Sequence, residues 1–350
     1  MKHQEIVKIL AIALGLLSVV SCNKGGGNEG PSSAIAVTGE YADLTKNSVT
    51  LYGWCNQKEE EGLSAVYGFE YSDTDLTTSA RTVEAPSRSK DSSNKYSCGL
   101  TGLKRDTKYY YRAYTRFNGI TSYGDVKTFT TTKPSCPSGA VDLGLSVFWA
   151  TCNLGAISPE EYGRYYMWAD KQEVSAADID RGWESCPYHT GSDNVTGWTK
   201  YVPSDKASYW SGSGSPDNKR VLDPDDDVAH VKLGGKWRMP TDAEWDELVD
   251  NCTWTWTDNY NETGVAGQIV TGTKPGYTDK SIFLPAAGMI LHKGHQAAAG
   301  FGDTGFYWRR ELSYDDPSDA YCISFHEGGY WRNFYSTCRV DGLSVRPVTE

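Results

Sequence analysis

The chain has 350 residues, room for roughly two domains, and its net charge of −11 excludes a nucleic-acid partner, because a phosphate backbone calls for a basic face. Its nine cysteines include no C-x-x-C pair, which excludes metal knuckles and thioredoxin-like redox chemistry.

The first predicted element is an export signal. Lys2 and Lys8 flank the start of an apolar run from Ile9 to Val20. A bilayer crossing needs roughly 20 apolar residues, so this shorter run reads as a signal-peptide core. Val19-Val20-Ser21-Cys22 reads as a lipobox. Residues 1–22 are therefore expected to be a lipoprotein leader, with Cys22 acylated and holding the protein to the membrane. Residues 23–34, opening Asn23-Lys24-Gly25-Gly26-Gly27, form a flexible tether. The expected address is the cell envelope, as an outer-membrane lipoprotein facing the periplasm or the medium. That compartment is oxidising and lacks ATP. The eight cysteines other than Cys22 suit disulfides there, with no pairing fixed by sequence.

Residues 35–133 read as short alternating strands broken by Gly, Asp and Asn clusters, the pattern of a β-sandwich. Val49 to Tyr52, Tyr67 to Tyr71 and Tyr109 to Tyr114 alternate, and Val126 to Thr130 closes the domain. Leu100-Thr101-Gly102-Leu103 followed by Thr107-Lys108-Tyr109 resembles the tyrosine corner of fibronectin type III domains, which implies that Tyr109 faces inward with Tyr111 and Ala113. That family carries an inward tryptophan where this chain has Gly53, with Trp54 one residue later; a bulge or a variant sandwich would account for the shift. Cys55 and Cys98 lie on strands that pair in such sandwiches, as a cross-strand disulfide or as two buried thiols.

Composition changes at Thr132-Lys133-Pro134-Ser135, beyond which eleven of the twelve tryptophans lie. Residues 134–350 are thus a second domain, in which aromatic bulk builds an irregular core. Ser158 to Glu161 predicts a single turn. Thr241-Asp242-Ala243-Glu244 is a capping box, and Trp245, Leu248, Val249 and Cys252 then fall at helical spacing on one buried face. Strands are expected at Tyr165 to Trp168, Thr253 to Thr257, Ser281 to Leu284 and Ser344 to Val348.

Five blocks of this region, Val141 to Ser146, Trp149 to Ala156, Trp237 to Thr241, Phe283 to Gly288 and Gly342 to Val348, resemble the Fibrobacter succinogenes major paralogous domain, which is widespread in exported lipoproteins of Bacteroidetes-type bacteria. Trp237 to Trp245 is also similar to the helix start of formylglycine-generating enzymes. The resemblance implies an irregular α+β fold of the C-type lectin type, giving a multidomain chain in which an all-β fibronectin type III-like sandwich precedes a C-type-lectin-like domain.

Chemistry is sparse by comparison. The enzymes just named use two cysteines a few residues apart to handle oxygen and copper, whereas Cys322 and Cys338 are sixteen positions apart; the expectation is no enzyme and no cofactor. Asp223-Pro224-Asp225-Asp226-Asp227 and the cluster Asp315, Asp316 and Asp319 could offer calcium their carboxylates, yet neither fits a known loop, and a solvated acidic loop is the plainer reading. His292 and His295 lie in a loop with no third zinc ligand in view, so no metal is expected there. Phe306-Tyr307-Trp308-Arg309 and Gly328-Gly329-Tyr330-Trp331-Arg332 set planar rings beside guanidinium donors, chemistry that suits a sugar face or a protein loop. Tyr330, Trp331, Arg332, Trp308 and Arg309 are therefore the candidate ligand-binding residues. The expected function is noncatalytic binding of a glycan or a protein, with adhesion as the setting. The rivals are a structural subunit of a surface assembly and an enzyme related to the formylglycine-generating type.

Overall fold

The strand pattern read from the first region organises a computed structural model of the chain. It describes residues 35–350 apart from 56–64, 87–93, 118, 134, 179, 296–298 and 332–335; the expected leader, Cys22 and the tether lie outside the described residues. Two compact units form. One comprises the described part of Met1–Asp43 with Val49–Leu100 and Lys108–Phe129, and the other Leu44–Ser48, Thr101–Thr107 and Thr130–Glu350.

The first unit is built on β1 (Ala36–Ala42), β2 (Val49–Cys55), β3 (Ala65–Ser72), β4 (Arg81–Glu84), β5 (Lys95–Leu100), β6 (Lys108–Phe117), β7 (Ile120–Tyr123) and β8 (Lys127–Thr130). One sheet has the order β1-β2-β5 and the other β4-β3-β6-β7, with β8 also on β6. This is a fibronectin type III arrangement. Alternation puts Leu51, Phe69, Tyr111 and Ala113 in the core. The Tyr111 hydroxyl donates to the Gly39 carbonyl at 3.0 Å, tying β6 to β1, and Tyr109 stacks on Phe129 at 5.3 Å.

The family tryptophan is replaced rather than displaced. The β2–β5 register runs unbroken from Val49↔Leu100 to Trp54↔Lys95, so β2 contains no bulge, and Trp54 simply points outward, 39% exposed. A Cβ on Gly53 would meet the Tyr96 ring at 3.0 Å. Tyr96, opposite Gly53 on β5, therefore fills the inward space, and its hydroxyl donates to the Tyr114 carbonyl. The same register places Cys98 opposite Leu51, while Cys55 lies beyond the last pair. The two cysteines are not cross-strand partners, and the disulfide option is replaced by two buried residues.

The second unit runs β9 (Ala140–Val141), β10 (Phe148–Ala150), β11 (Tyr165–Tyr166), β12 (Glu173–Val174), α1 (Val228–Leu233), α2 (Asp242–Asn251), β13 (Cys252–Thr257), β14 (Gly267–Gly272), β15 (Ser281–Pro285), β16 (Ala287–Met289), β17 (Ala299–Phe301), β18 (Thr304–Leu312), β19 (Asp319–His326), β20 (Gly329–Trp331), β21 (Ser336–Cys338), β22 (Leu343–Ser344) and β23 (Val348–Thr349). Its largest sheet has the order β12-β11-β22-β18-β16-β17, with β19 on β18 and with β20 and β21 on β19. Smaller sheets are β23-β10-β9 and β13-β14-β15.

Helix α2 has the expected capping box, with the Thr241 hydroxyl on the Glu244 amide and the Glu244 carboxylate on the Thr241 amide. Trp245, Leu248 and Val249 are its buried face, and Trp245 meets Trp149 edge-on at 4.7 Å. Cys252 opens β13 instead of ending the helix. The expected strand over 344–348 is split into β22, which pairs with β11 and β18, and β23, which pairs with β10.

Arg346 has no exposed surface. Its guanidinium donates to Asn153 Oδ1 at 2.9 Å, to the carbonyls of Ala150 and Thr151 at 3.1 Å each, and to the Phe283 carbonyl at 2.7 Å. Asn153 Nδ2 donates to the Tyr162 carbonyl and the Tyr307 hydroxyl, and that hydroxyl donates to Pro285. Three of the sequence blocks thus converge on one cation. A buried charge of this kind is tolerated only when its donors are filled. Replacing Arg346 with Met strands these acceptors in an apolar interior, and we expect a loss of at least about 3 kcal/mol; Arg346→Lys, without the planar fork, should recover only part of it. The denaturant midpoint, at unchanged slope, measures both.

Candidate functional site

Gly234 and Gly235, both at positive φ, turn the chain out of α1 into Lys236-Trp237-Arg238-Met239. Asp227 holds both ends of this turn. Its carboxylate caps α1 by accepting from the amides of Ala229 and His230 and also accepts from the Met239 amide at 2.9 Å. Burial pushes the Asp227 carboxyl upward against those hydrogen bonds. Arg238 is fixed by a two-way backbone pairing with Val348, and His230 Nδ1 meets the Trp237 carbonyl at 3.2 Å.

These residues line a recess of about 230 Å³ bounded by Pro224, His230, Lys236, Trp237, Arg238, Arg310 and Glu350. Trp237 is half-buried and Lys236 exposed. Arg238 forms a two-point pair with Glu244, at 2.7 and 2.5 Å. Burial raises the Glu244 carboxyl, but the guanidinium outweighs it and the net direction is downward. Arg310 Nε lies 3.5 Å from Asp227 Oδ2, and its Nη2 donates to the Leu222 carbonyl. The recess therefore combines an aromatic ring with guanidinium donors whose charge is largely balanced by carboxylates.

The expected ligand-binding residues are dispersed. Trp308 is a core residue with no exposed surface; its indole N–H donates to the Tyr166 carbonyl at 2.7 Å, and β18 is buried on both faces over Gly305 to Arg309. Arg309 is 5% exposed and reaches Asp242 at the start of α2. Tyr330 and Trp331 lie in strand β20, where Phe325↔Tyr330 and Ser324↔Trp331 pair, so this stretch is one arm of a hairpin with β19. Arg332 lies outside the described residues. Sequence reasoning passed over Trp237, although Gly234-Gly235-Lys236-Trp237-Arg238 has the same double glycine before an aromatic–arginine pair that singled out Gly328 to Arg332.

The acidic segment is not the solvated loop expected. Asp226 is 2% exposed and accepts from Lys200 Nζ at 2.6 Å and from the hydroxyls of Tyr188 and Tyr201 at 2.5 Å. Asp223 binds Lys200 and Lys219, which hold its carboxyl below the ordinary range. The carboxylates that a calcium ion would need converge instead on lysines and tyrosines. Asp316 bonds the Ser318 amide and hydroxyl, and Asp319 accepts from Ser336. Cys322 packs with Trp308, whereas Cys338 belongs to a different apolar cluster. His292 lies beside Asp341, with Nδ1 2.7 Å from Oδ1, and near Cys338, a grouping that sequence distance concealed.

No family model matches the chain, and comparison with curated proteins returns no match. Similar solved structures include the sensor domain of the anti-sigma factor RsgI4 in Pseudobacteroides cellulosolvens, at 17% identity and TM-score 0.24, covering 30% of this chain and 100% of that one. Another is a fibronectin type III domain of human fibronectin type III domain containing protein 3, at 20% identity and TM-score 0.24, covering 32% of this chain and 96% of that one. The sixth fibronectin type III domain of the same human protein matches at 16% identity and TM-score 0.24, with coverage of 32% and 96%. These likenesses are weak, concern a part of the chain and bear on fold alone.

Behind the recess, the Glu311 carboxylate accepts from the Asp242 amide at 3.0 Å. Burial, then the charges of Asp242 and Glu244, push the Glu311 carboxyl up from 4.5 to about 8. Within that window the folded chain retains a proton that the unfolded chain has lost, so folding stability should fall as pH rises, by at most about 1.4 kcal/mol per pH unit. Unfolding titrations across the window should show a shallower decline for Glu311→Gln than for the wild type.

Proposed function

We propose that the protein is a lipid-anchored envelope protein in which the fibronectin type III-like unit is a spacer. In this reading the second unit, of the C-type-lectin-like α+β type that its sequence blocks imply, binds a glycan without catalysis, in the service of adhesion. The observation that carries the reading is the Trp237 recess. A sugar ring is uncharged and polyhydroxylated, with one apolar face. It is matched by an indole for stacking and by guanidinium–carboxylate pairs that present donors and acceptors with little net charge. The recess is open and small, on the scale of one or two sugar rings rather than a deep enzyme pocket.

A glycan array probed with the protein, with and without chelator, tests this. Binding should survive removal of calcium, because lysines and tyrosines occupy the carboxylates of Asp223 and Asp226, and backbone amides that of Asp227. Trp237→Ala should weaken the best ligand by about 1–2 kcal/mol, roughly tenfold in Kd, with the unfolding midpoint as the control for folding. An array without hits, or undiminished binding by Trp237→Ala, would refute the reading. The anchor has its own measurement. Metabolic labelling with an alkynyl palmitate should mark the wild-type protein and leave Cys22→Ala unmarked and released from membranes.

A further inference from the structure

We propose that His292, Cys338 and Asp341 hold a zinc ion. Their donor atoms all lie within 4.8 Å of one another, Asp341 buried and the other two half-buried. The trio combines imidazole, thiol and carboxylate, a donor set that suits zinc and not the hard cations that take oxygen alone. It is independent of the Asp223 to Asp227 segment, of the Trp237 recess and of the glycan reading, and Cys338 lies opposite Asp319 in the β19–β21 pairing, with its thiol hydrogen-bonded to that carboxylate.

The backbone fixes two chain segments so that the three side chains face one point. Ile290 and Gly342 exchange both backbone hydrogen bonds at 2.8 Å, and the Asp341 amide closes a turn on the Cys338 carbonyl at 2.9 Å. Arg181, 7% exposed, clamps the two segments together, donating to the carbonyls of Val340 on one and of Ile290 on the other. Its charge is thus directed at carbonyl oxygens. Asp341 is aimed in turn by a hydrogen bond from the Thr337 hydroxyl to Oδ2 at 2.7 Å, the outer-shell support that metal-binding carboxylates characteristically have. Asp341 Oδ1 accepts from the His292 backbone amide at 3.1 Å and also faces His292 Nδ1 at 2.7 Å. Zinc takes the place of the contact between the ring and the carboxylate.

Bonds of roughly 2.0–2.3 Å to a tetrahedral zinc separate its donors by somewhat over 3 Å. The site therefore closes by side-chain rotation of His292 and Cys338 about the fixed carboxylate. A thiolate and a carboxylate balance the charge of the ion, and with three protein donors the fourth position falls to water; the exposed His295 ring lies 4.7 Å from that of His292.

The test is titration of the full chain, purified without chelators and stripped of metal, with zinc against a chromophoric competitor, and with cobalt as a spectroscopic substitute. We expect stoichiometric binding, a thiolate-to-cobalt charge-transfer band in the near ultraviolet and the intense visible bands of a tetrahedral ion. Cys338→Ser should abolish the charge-transfer band, and both Cys338→Ser and His292→Gln should bind zinc at least about tenfold more weakly. Should either variant fold poorly, the wild-type chain decides: zinc should protect Cys338 from alkylation, read by peptide mapping, and chelator should reverse that protection. Lack of stoichiometric binding, a charge-transfer band that persists in folded Cys338→Ser, or Cys338 alkylation indifferent to zinc would overturn the proposal.

Discussion

A guanidinium with no access to water organises the second unit. Arg346 is buried, and among the described residues it has no carboxylate partner; its charge is offset by oxygen dipoles drawn from segments distant in sequence: Ala150, Thr151 and Asn153 before the helices, Phe283 after them. Desolvation pulls the Arg346 pKa down, which states the cost of the arrangement; the fixed carbonyls are its compensation. Because every donor must be met at once, the β10 segment, the end of β15 and the chain between β22 and β23 have only one mutual placement. Arg339 shows a second solution to the same problem. It too is fully buried, with its guanidinium 3.9 Å over the ring of Trp198 and 4.9 Å over that of Trp168, so that aromatic faces replace much of its lost hydration.

The tryptophan-rich composition follows from this. Regular structure in the second unit is short, many strands being two or three residues long, and short strands bury little apolar surface each. Trp149, Trp168, Trp198, Trp245 and Trp308, all fully buried, supply bulk where length is lacking. The first unit uses tyrosine to the same end: Tyr96 occupies the space opposite Gly53 and Tyr111 bolts one sheet to the other, each with its hydroxyl satisfied by a carbonyl.

Charge in the acidic segment is likewise spent internally. Asp223 and Asp226 gather Lys200, Lys219 and two tyrosine hydroxyls, and Asp227 secures the turn that presents Trp237. The run of aspartates positions the recess, with Asp223 and Asp226 engaged by lysines and tyrosines. His292, Cys338 and Asp341 differ in kind, since a backbone bridge and Arg181 hold three unlike donors toward one point.

Local signals were legible in the residues alone. Period-two alternation marked β2, β3 and β6, because a strand with one buried face must alternate, and the capping box marked α2, because Thr241 and Glu244 satisfy helix-end amides within a few residues. The shift of Trp54 was visible too, but its cause lay across a ladder, where Tyr96 fills the space, and no local rule reports what stands opposite a glycine. Burial was likewise decided in three dimensions: Trp308-Arg309 and Trp237-Arg238 are similar as dipeptides, yet one is enclosed by the central sheet and the other opens on a recess. The sequence by itself determined β2, β3, β6 and α2, through contacts and alternation within a few residues. Only the tertiary structure decided which aromatics line an open recess and which donors meet, because those outcomes depend on pairings such as Ile290 with Gly342 that join segments far apart along the chain.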